Sequence, residues 1–195
     1  LDGTLLDVRT HSYDKALPSI RSLHRKEIPI VFCSSKTRTE QEWYQQKLGI
    51  HDPFIVENGG AILIPGGYFP FDFDYDKAEG KYRIIELGIP YEKVRQVLER
   101  IRAEVEVSFT GFGDMSVEEV AALTGLGPEA ARRAKEREYT ETLKLEGTPE
   151  NIERMVGAIR QAGLNSTHGS MYFSVMGPND KGRATTILAL SLIHI

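Results

Sequence analysis

Residues 28–64 alternate two apolar rhythms, and that alternation restricts the fold more than any other feature of the chain. Ile28-Pro29-Ile30-Val31-Phe32-Cys33 is a near-continuous apolar run, the pattern of a strand buried on both faces. Thr37 to Leu48 reads as a helix, with Gly49 placed for a left-handed C-terminal cap. Phe54-Ile55-Val56 is a second short strand, and Asn58-Gly59-Gly60 turns the chain into Ala61-Ile62-Leu63-Ile64. Upstream, Ala16, Leu17, Ile20 and Leu23 predict a helix over 13–25, and Leu5-Leu6 reads as the end of an earlier strand. Strand and helix in turn predict an α/β core with a doubly wound parallel sheet.

The pattern then changes. Gly66 to Gly80, rich in Gly, Asp and aromatics, reads as a loop or hairpin leaving the core. Strands are expected at 82–87, 105–109, 142–145 and 171–176. Between them, apolar Val94, Val97, Leu98 and Ile101 predict a helix over 91–104. Ser116-Val117-Glu118-Glu119 has the form of a capping box opening a helix to Leu123. Pro128 opens another through Arg137, and Thr148-Pro149 opens a third. A last helix starts near Lys181, capped by Asn179 or Asp180. These signals predict a core formed by 1–81 and 177–195, with an α+β cap of 82–176 inserted into it.

The net charge of −4, without a long basic tract, argues against nucleic acid or a membrane surface as the partner. No stretch approaches the roughly 20 apolar residues of a membrane span. One cysteine, Cys33, makes no internal disulfide, so a reducing, cytoplasmic setting is expected, with Cys33 a buried strand thiol. Oligomeric state is left open.

Open α/β sheets bind ligands at the carboxyl ends of their strands. Three polar loops fall there: Asp2-Gly3-Thr4, Ser34-Ser35-Lys36 and Asn58-Gly59-Gly60. Asp2 can exchange protons and Thr4 offers a hydroxyl. Ser34 suits a phosphoryl oxygen or a helix cap. Lys36 is either a site cation or a surface lysine, and Asn58-Gly59 either a cradle or a hairpin turn. Lys181, at a strand-to-helix junction, suits the balancing of carboxylate and phosphate charge. In the inserted block, Gly111 to Asp114 suits a backbone-rich loop around hydroxyls. Arg132, Arg133, Lys135 and Arg137 are candidates for a ligand carboxylate, Arg137 first among them; the other reading is a solvated helix face paired with Glu136 and Glu138. His168, on a loop between Thr167 and Gly169, is a site residue or a structural one. Trp43 and Tyr44 read as packing.

Asp2-Gly3-Thr4, Ser34 and Lys181 resemble the first three motifs of the haloacid dehalogenase superfamily of phosphatases. The inserted block is similar to the cap of its Cof-type subgroup. Ser35-Lys36-Thr37-Arg38, Ile55 to Gly60, Gly111-Phe112-Gly113-Asp114-Met115, Thr167-His168-Gly169 and Asp180-Lys181-Gly182 narrow the resemblance to members acting on a phosphorylated sugar glycerate. The resemblance implies phosphomonoester hydrolysis through an aspartyl-phosphate, with Asp2 protonating the leaving oxygen and later activating water. Ser34 and Lys181 join it as catalytic residues, and Thr4, Lys36, Arg38, Asn58, Gly59, Gly111, Asp114, Arg137 and His168 take the substrate. Mg2+ is implied as cofactor, held in part by the main-chain oxygen of Asp2. The family's nucleophilic aspartate falls before Leu1 and its acidic fourth motif after the Lys181 helix. A chain cut at both ends, inactive by itself, is therefore expected, with 191–195 breaking the helical rhythm. Another Cof-type sugar-phosphate phosphatase, or an inactive phosphate- or sugar-binding protein, stands as the alternative.

Overall fold

The structure, a computed structural model, describes every residue except Val8, 105–107, 170–171 and 194–195. The expected strands at 105–109 and 171–176 thus lie partly outside the described residues.

Strands β1 (Phe32–Cys33), β2 (Phe54–Val56), β3 (Ala61–Pro65), β4 (Lys77–Glu79) and β5 (Tyr82–Glu86) form one sheet in the order β1-β2-β3-β5-β4. Among the described residues, only the β1–β2 pair is parallel. The doubly wound parallel core is therefore mixed in detail, because the Asn58-Gly59-Gly60 turn reverses the chain and β3, β5 and β4 add antiparallel. Residues alternate across the sheet. Phe54, Val56, Ala61 and Leu63 pack with Ile20 of α1 (Leu17–Arg25) and Leu48 of α2 (Arg38–Leu48). Ile55, Ile62 and Ile64 pack on the other face with Ala184 and Leu188 of α7 (Lys181–Leu192). Both faces of β2 and β3 are apolar because both are covered.

Several expectations shift. β1 is short because Pro29 has no N–H and the Ile30 N–H donates to Asp52 Oδ2 (2.7 Å), which takes this end of the run out of the ladder. Leu5-Leu6 does not end a strand: the N–H groups of Thr4, Leu5 and Leu6 all donate to the Leu1 carbonyl, around Gly3 at φ +73°. The 66–80 segment stays on the core, with Phe69 buried and stacked on Phe71. Tyr82–Glu86, placed in the cap by sequence, pairs with β3 and belongs to the first sheet.

The second unit is a four-stranded antiparallel sheet, β6 (Ser108–Gly111), β7 (Thr140–Glu146), β8 (Asn165–His168) and β9 (Phe173–Met176), in the order β6-β7-β9-β8. Helices α3 (Tyr91–Glu104) and α6 (Pro149–Gln161) cover one face through Val94, Leu98, Ile101, Met155 and Ile159. The short helices α4 (Val117–Thr124) and α5 (Pro128–Lys135) make a small core of their own around Phe112 and Val120. α5 ends at Lys135, before Arg137, and His168, expected on a loop, is the last residue of strand β8. No helix among the described residues is long and apolar enough to cross a membrane.

Candidate active site

The carboxyl ends of β1 and β2 are tied into one surface. The Asn58 N–H donates to the Ser34 carbonyl (2.9 Å), and the Glu57 N–H to the Lys36 carbonyl (3.1 Å). Thr37 and Glu40 close a capping box on α2, so Lys36 sits fixed just before a helix N-terminus. Its ammonium lies 3.5 Å from Asp2 and 3.3 Å from Glu40. Burial works to depress the Lys36 ammonium, but Glu40 and Asp2 outweigh it, so Lys36 holds its charge more firmly than an ordinary lysine.

A cleft of about 420 Å³ opens between this surface and the second unit. The core lines it with Asp2, Lys36, Asn58 and Lys181, and the cap with Arg137 and His168. Six residues that sequence spread over 180 positions therefore meet. Two of them carry buried donors with nothing to donate to: Asn58 Nδ2 and Arg137 Nε. A buried unpaired donor is costly unless a ligand or water completes it. Arg137 is otherwise held firmly: Nη1 donates to Thr140 Oγ1 (2.8 Å) and to the Ser35 carbonyl (3.4 Å).

Other expected site residues lie elsewhere. Ser34 is buried beneath the loop, where its hydroxyl accepts from the Lys36 N–H (3.3 Å). Thr4 is exposed and borders a separate cleft beside α1. Arg38 turns away to Glu42 and Glu79 and stacks over Tyr82. Gly59 packs against the Asp180 backbone so closely that a Cβ would come 2.3 Å from the Asp180 carbonyl oxygen. Gly111 and Asp114 belong to a partly exposed ion cluster within the cap, built on the buried Glu141. The Asp114 carboxylate takes Arg95 (2.5 Å), Arg102 (2.7 Å) and the Gly111 N–H (2.8 Å). Burial pushes its carboxyl up, but these partners prevail and hold it well below the usual carboxylate range. Of the four basic candidates on 132–137, only Arg137 lines the cleft: Arg132 pairs with Glu129, Arg133 stacks on Trp43, and Lys135 donates to the carbonyls of Phe112 and Met115.

Three further residues belong to the site or its support, and local pattern points to none but Glu57. His11, in left-handed backbone at φ +55°, lines the cleft with Nδ1 buried and unpaired. Tyr172 lines it from the cap. Glu57, wholly buried, binds the cap backbone at 138–140. Only for Glu57 was a signal available, an acidic residue directly before Asn-Gly at a strand end.

The described residues hold no group of three His, Cys, Asp or Glu side chains placed for a metal ion. Both carboxylates at the cleft floor, Asp2 and Glu40, are paired with Lys36. By themselves they do not compose a Mg2+ site.

A family model described as haloacid dehalogenase-like hydrolase matches residues 1–72. The chain is 46% identical over 188 residues to a glucosyl-3-phosphoglycerate/mannosyl-3-phosphoglycerate phosphatase of Methanococcoides burtonii, covering 96% of this chain and 69% of the relative. It is 40% identical over 191 residues to a mannosyl-3-phosphoglycerate phosphatase of Pyrococcus furiosus, covering 96% and 74%. Among solved structures, a haloacid dehalogenase-like hydrolase from B. subtilis superposes with a TM-score of 0.65 at 16% identity, over 98% of this chain and 76% of that one. That likeness establishes the shared fold.

Proposed function

The chain belongs to the mannosyl-3-phosphoglycerate phosphatase family of the haloacid dehalogenase-like hydrolases, and from that membership we propose that it takes a sugar-linked 3-phosphoglycerate and releases inorganic phosphate. The observation that supports this reading is the set of three cations, Lys36, Lys181 and Arg137, around one cleft with Asp2 at its floor. Such a substrate carries two anionic groups, a phosphate and a carboxylate. Lys36 and Lys181, both on the core, suit the phosphate. Arg137, reaching in from the cap with a free Nε, suits the carboxylate. The 82–176 block, less its first strand, serves as the cap that reads the rest of the substrate.

Asp2 is the group that exchanges a proton with the leaving oxygen. Net, one P–O bond of the ester breaks and water supplies the new one. Magnesium stays an expectation of the family.

The test is phosphate release by the complete gene product from mannosyl-3-phosphoglycerate, its glucosyl counterpart and a sugar phosphate without a carboxylate. The carboxylate-bearing substrates should be preferred by about 10- to 100-fold in kcat/KM, the range of one charge-assisted hydrogen-bond pair. Equal rates on all three would overturn the reading.

A further inference from the structure

Glu57 sits at the carboxyl end of β2 in left-handed backbone, φ +45°, and Asn58 follows at φ +60°. Two successive non-glycine residues in this region are strained, and such strain persists where the surroundings enforce it. The bend turns the Glu57 side chain out of the core sheet and into the cap. There its carboxylate is wholly buried and accepts four hydrogen bonds. Oε1 receives the Glu138 N–H (2.8 Å). Oε2 receives the N–H groups of Tyr139 (3.1 Å) and Thr140 (2.8 Å) and the Thr140 hydroxyl (2.7 Å). A hydroxyl has one proton to give. Because Thr140 Oγ1 gives it to Glu57, its lone pairs are left to accept from Arg137 Nη1 (2.8 Å). Arg137 Nη1 also lies 3.9 Å from Glu57 Oε2.

We propose that Glu57 is a positioning residue for substrate binding: through Thr140 it fixes the Arg137 guanidinium so that Nε faces the cleft. A core residue thereby sets the aim of a cap cation. The proposal rests on the reading of Arg137 as the carboxylate-binding group.

A double-mutant cycle in the complete gene product tests it, with Glu57→Gln, Arg137→Ala and the pair. KM and kcat are measured on mannosyl-3-phosphoglycerate and on phenyl phosphate, which has no carboxylate. Glutamine keeps the size but turns one acceptor oxygen into a donor amide facing other donors. Glu57→Gln should raise KM for the phosphoglycerate about tenfold, with kcat and phenyl phosphate turnover changed less than about twofold. In the Arg137→Ala background the same substitution should add less than about twofold. A KM rise of equal size in both backgrounds, or on both substrates, overturns the proposal and leaves the substrate reading standing. An unchanged KM in Arg137→Ala alone sinks both. Should Glu57→Gln not fold, Thr140→Val removes only the hydroxyl link: it should reproduce the KM rise, and a wild-type KM would overturn the proposal.

Discussion

The molecule contains two clusters of charge, each with a buried member, and they differ in completeness. Inside the cap, Glu141 is fully buried and takes Tyr91 Oη (2.7 Å), Arg95 (2.9 Å) and the Gly113 N–H (3.2 Å) on one oxygen. Its other oxygen accepts the Thr142 N–H (2.7 Å). Asp114 is paired just as fully with Arg95 and Arg102. Glycine at 111 and 113 makes room: a Cβ at Gly113 would come 2.4 Å from Tyr91 Oη. At the core–cap cleft, by contrast, donors on Arg137 and Asn58 and a ring nitrogen of His11 are left over. A cluster that satisfies itself holds structure, and one with spare donors awaits a partner.

The largest expected effect tests the first half of that contrast. Glu141→Ala strands Arg95, Tyr91 and two backbone N–H groups, so it should cost about 3–5 kcal/mol in denaturant unfolding. A loss below about 1 kcal/mol would show that the cap cluster is not structural. Next, Arg137→Ala should invert the pattern. Its unfolding free energy should change by less than that of Glu141→Ala, while 3-phosphoglycerate, which carries the carboxylate, binds about 10- to 100-fold more weakly by titration calorimetry. Equal damage to folding by both substitutions would erase the distinction. The smallest effect concerns pH. The Asp114 carboxyl is depressed in the folded state, so its contribution is present above its unfolded value near 3.8 and is lost as pH falls through the folded one. Stability should therefore decline as the solution is acidified below about pH 4, and Asp114→Asn should flatten that part of the curve. An unchanged acid limb in the variant would contradict the assignment.

The same contrast explains what the sequence could reveal. Apolar rhythm announces β2, β3, α2 and the helices of the cap, because period and caps are local properties: Ser116 with Glu119 forms the capping box its spacing foretells, and Gly49 caps α2 in left-handed backbone. The strand loops that deliver Asp2, Lys36, Asn58 and Lys181 were legible for the same reason. Asp114 was misplaced because a short polar loop looks alike whether its carboxylate faces a ligand or Arg95 and Arg102. Arg38 and Arg137 carry the same chemistry, yet one meets Glu79 and the other Glu57, partners 41 and 80 positions away, which no local pattern records. Tyr82–Glu86 reads as cap from its sequence yet pairs with β3, because a strand's pairing partner is not written in its own residues.

The packing of Gly59 and Gly60 has a consequence for modularity. Gly60 leaves no room for a Cβ, which would come 2.5 Å from the Cβ of Tyr139, and its carbonyl accepts the N–H groups of Leu87 and Gly88 where the chain departs for the cap. Gly59 meets Asp180 where the chain returns. The outbound connection, the return connection and one turn of the core thus meet at a single point. A recombinant that exchanged caps at the two crossings alone would separate the two sides of that meeting point. The transferable cassette is the cap together with residues 57–60, and the graft boundary runs through the core.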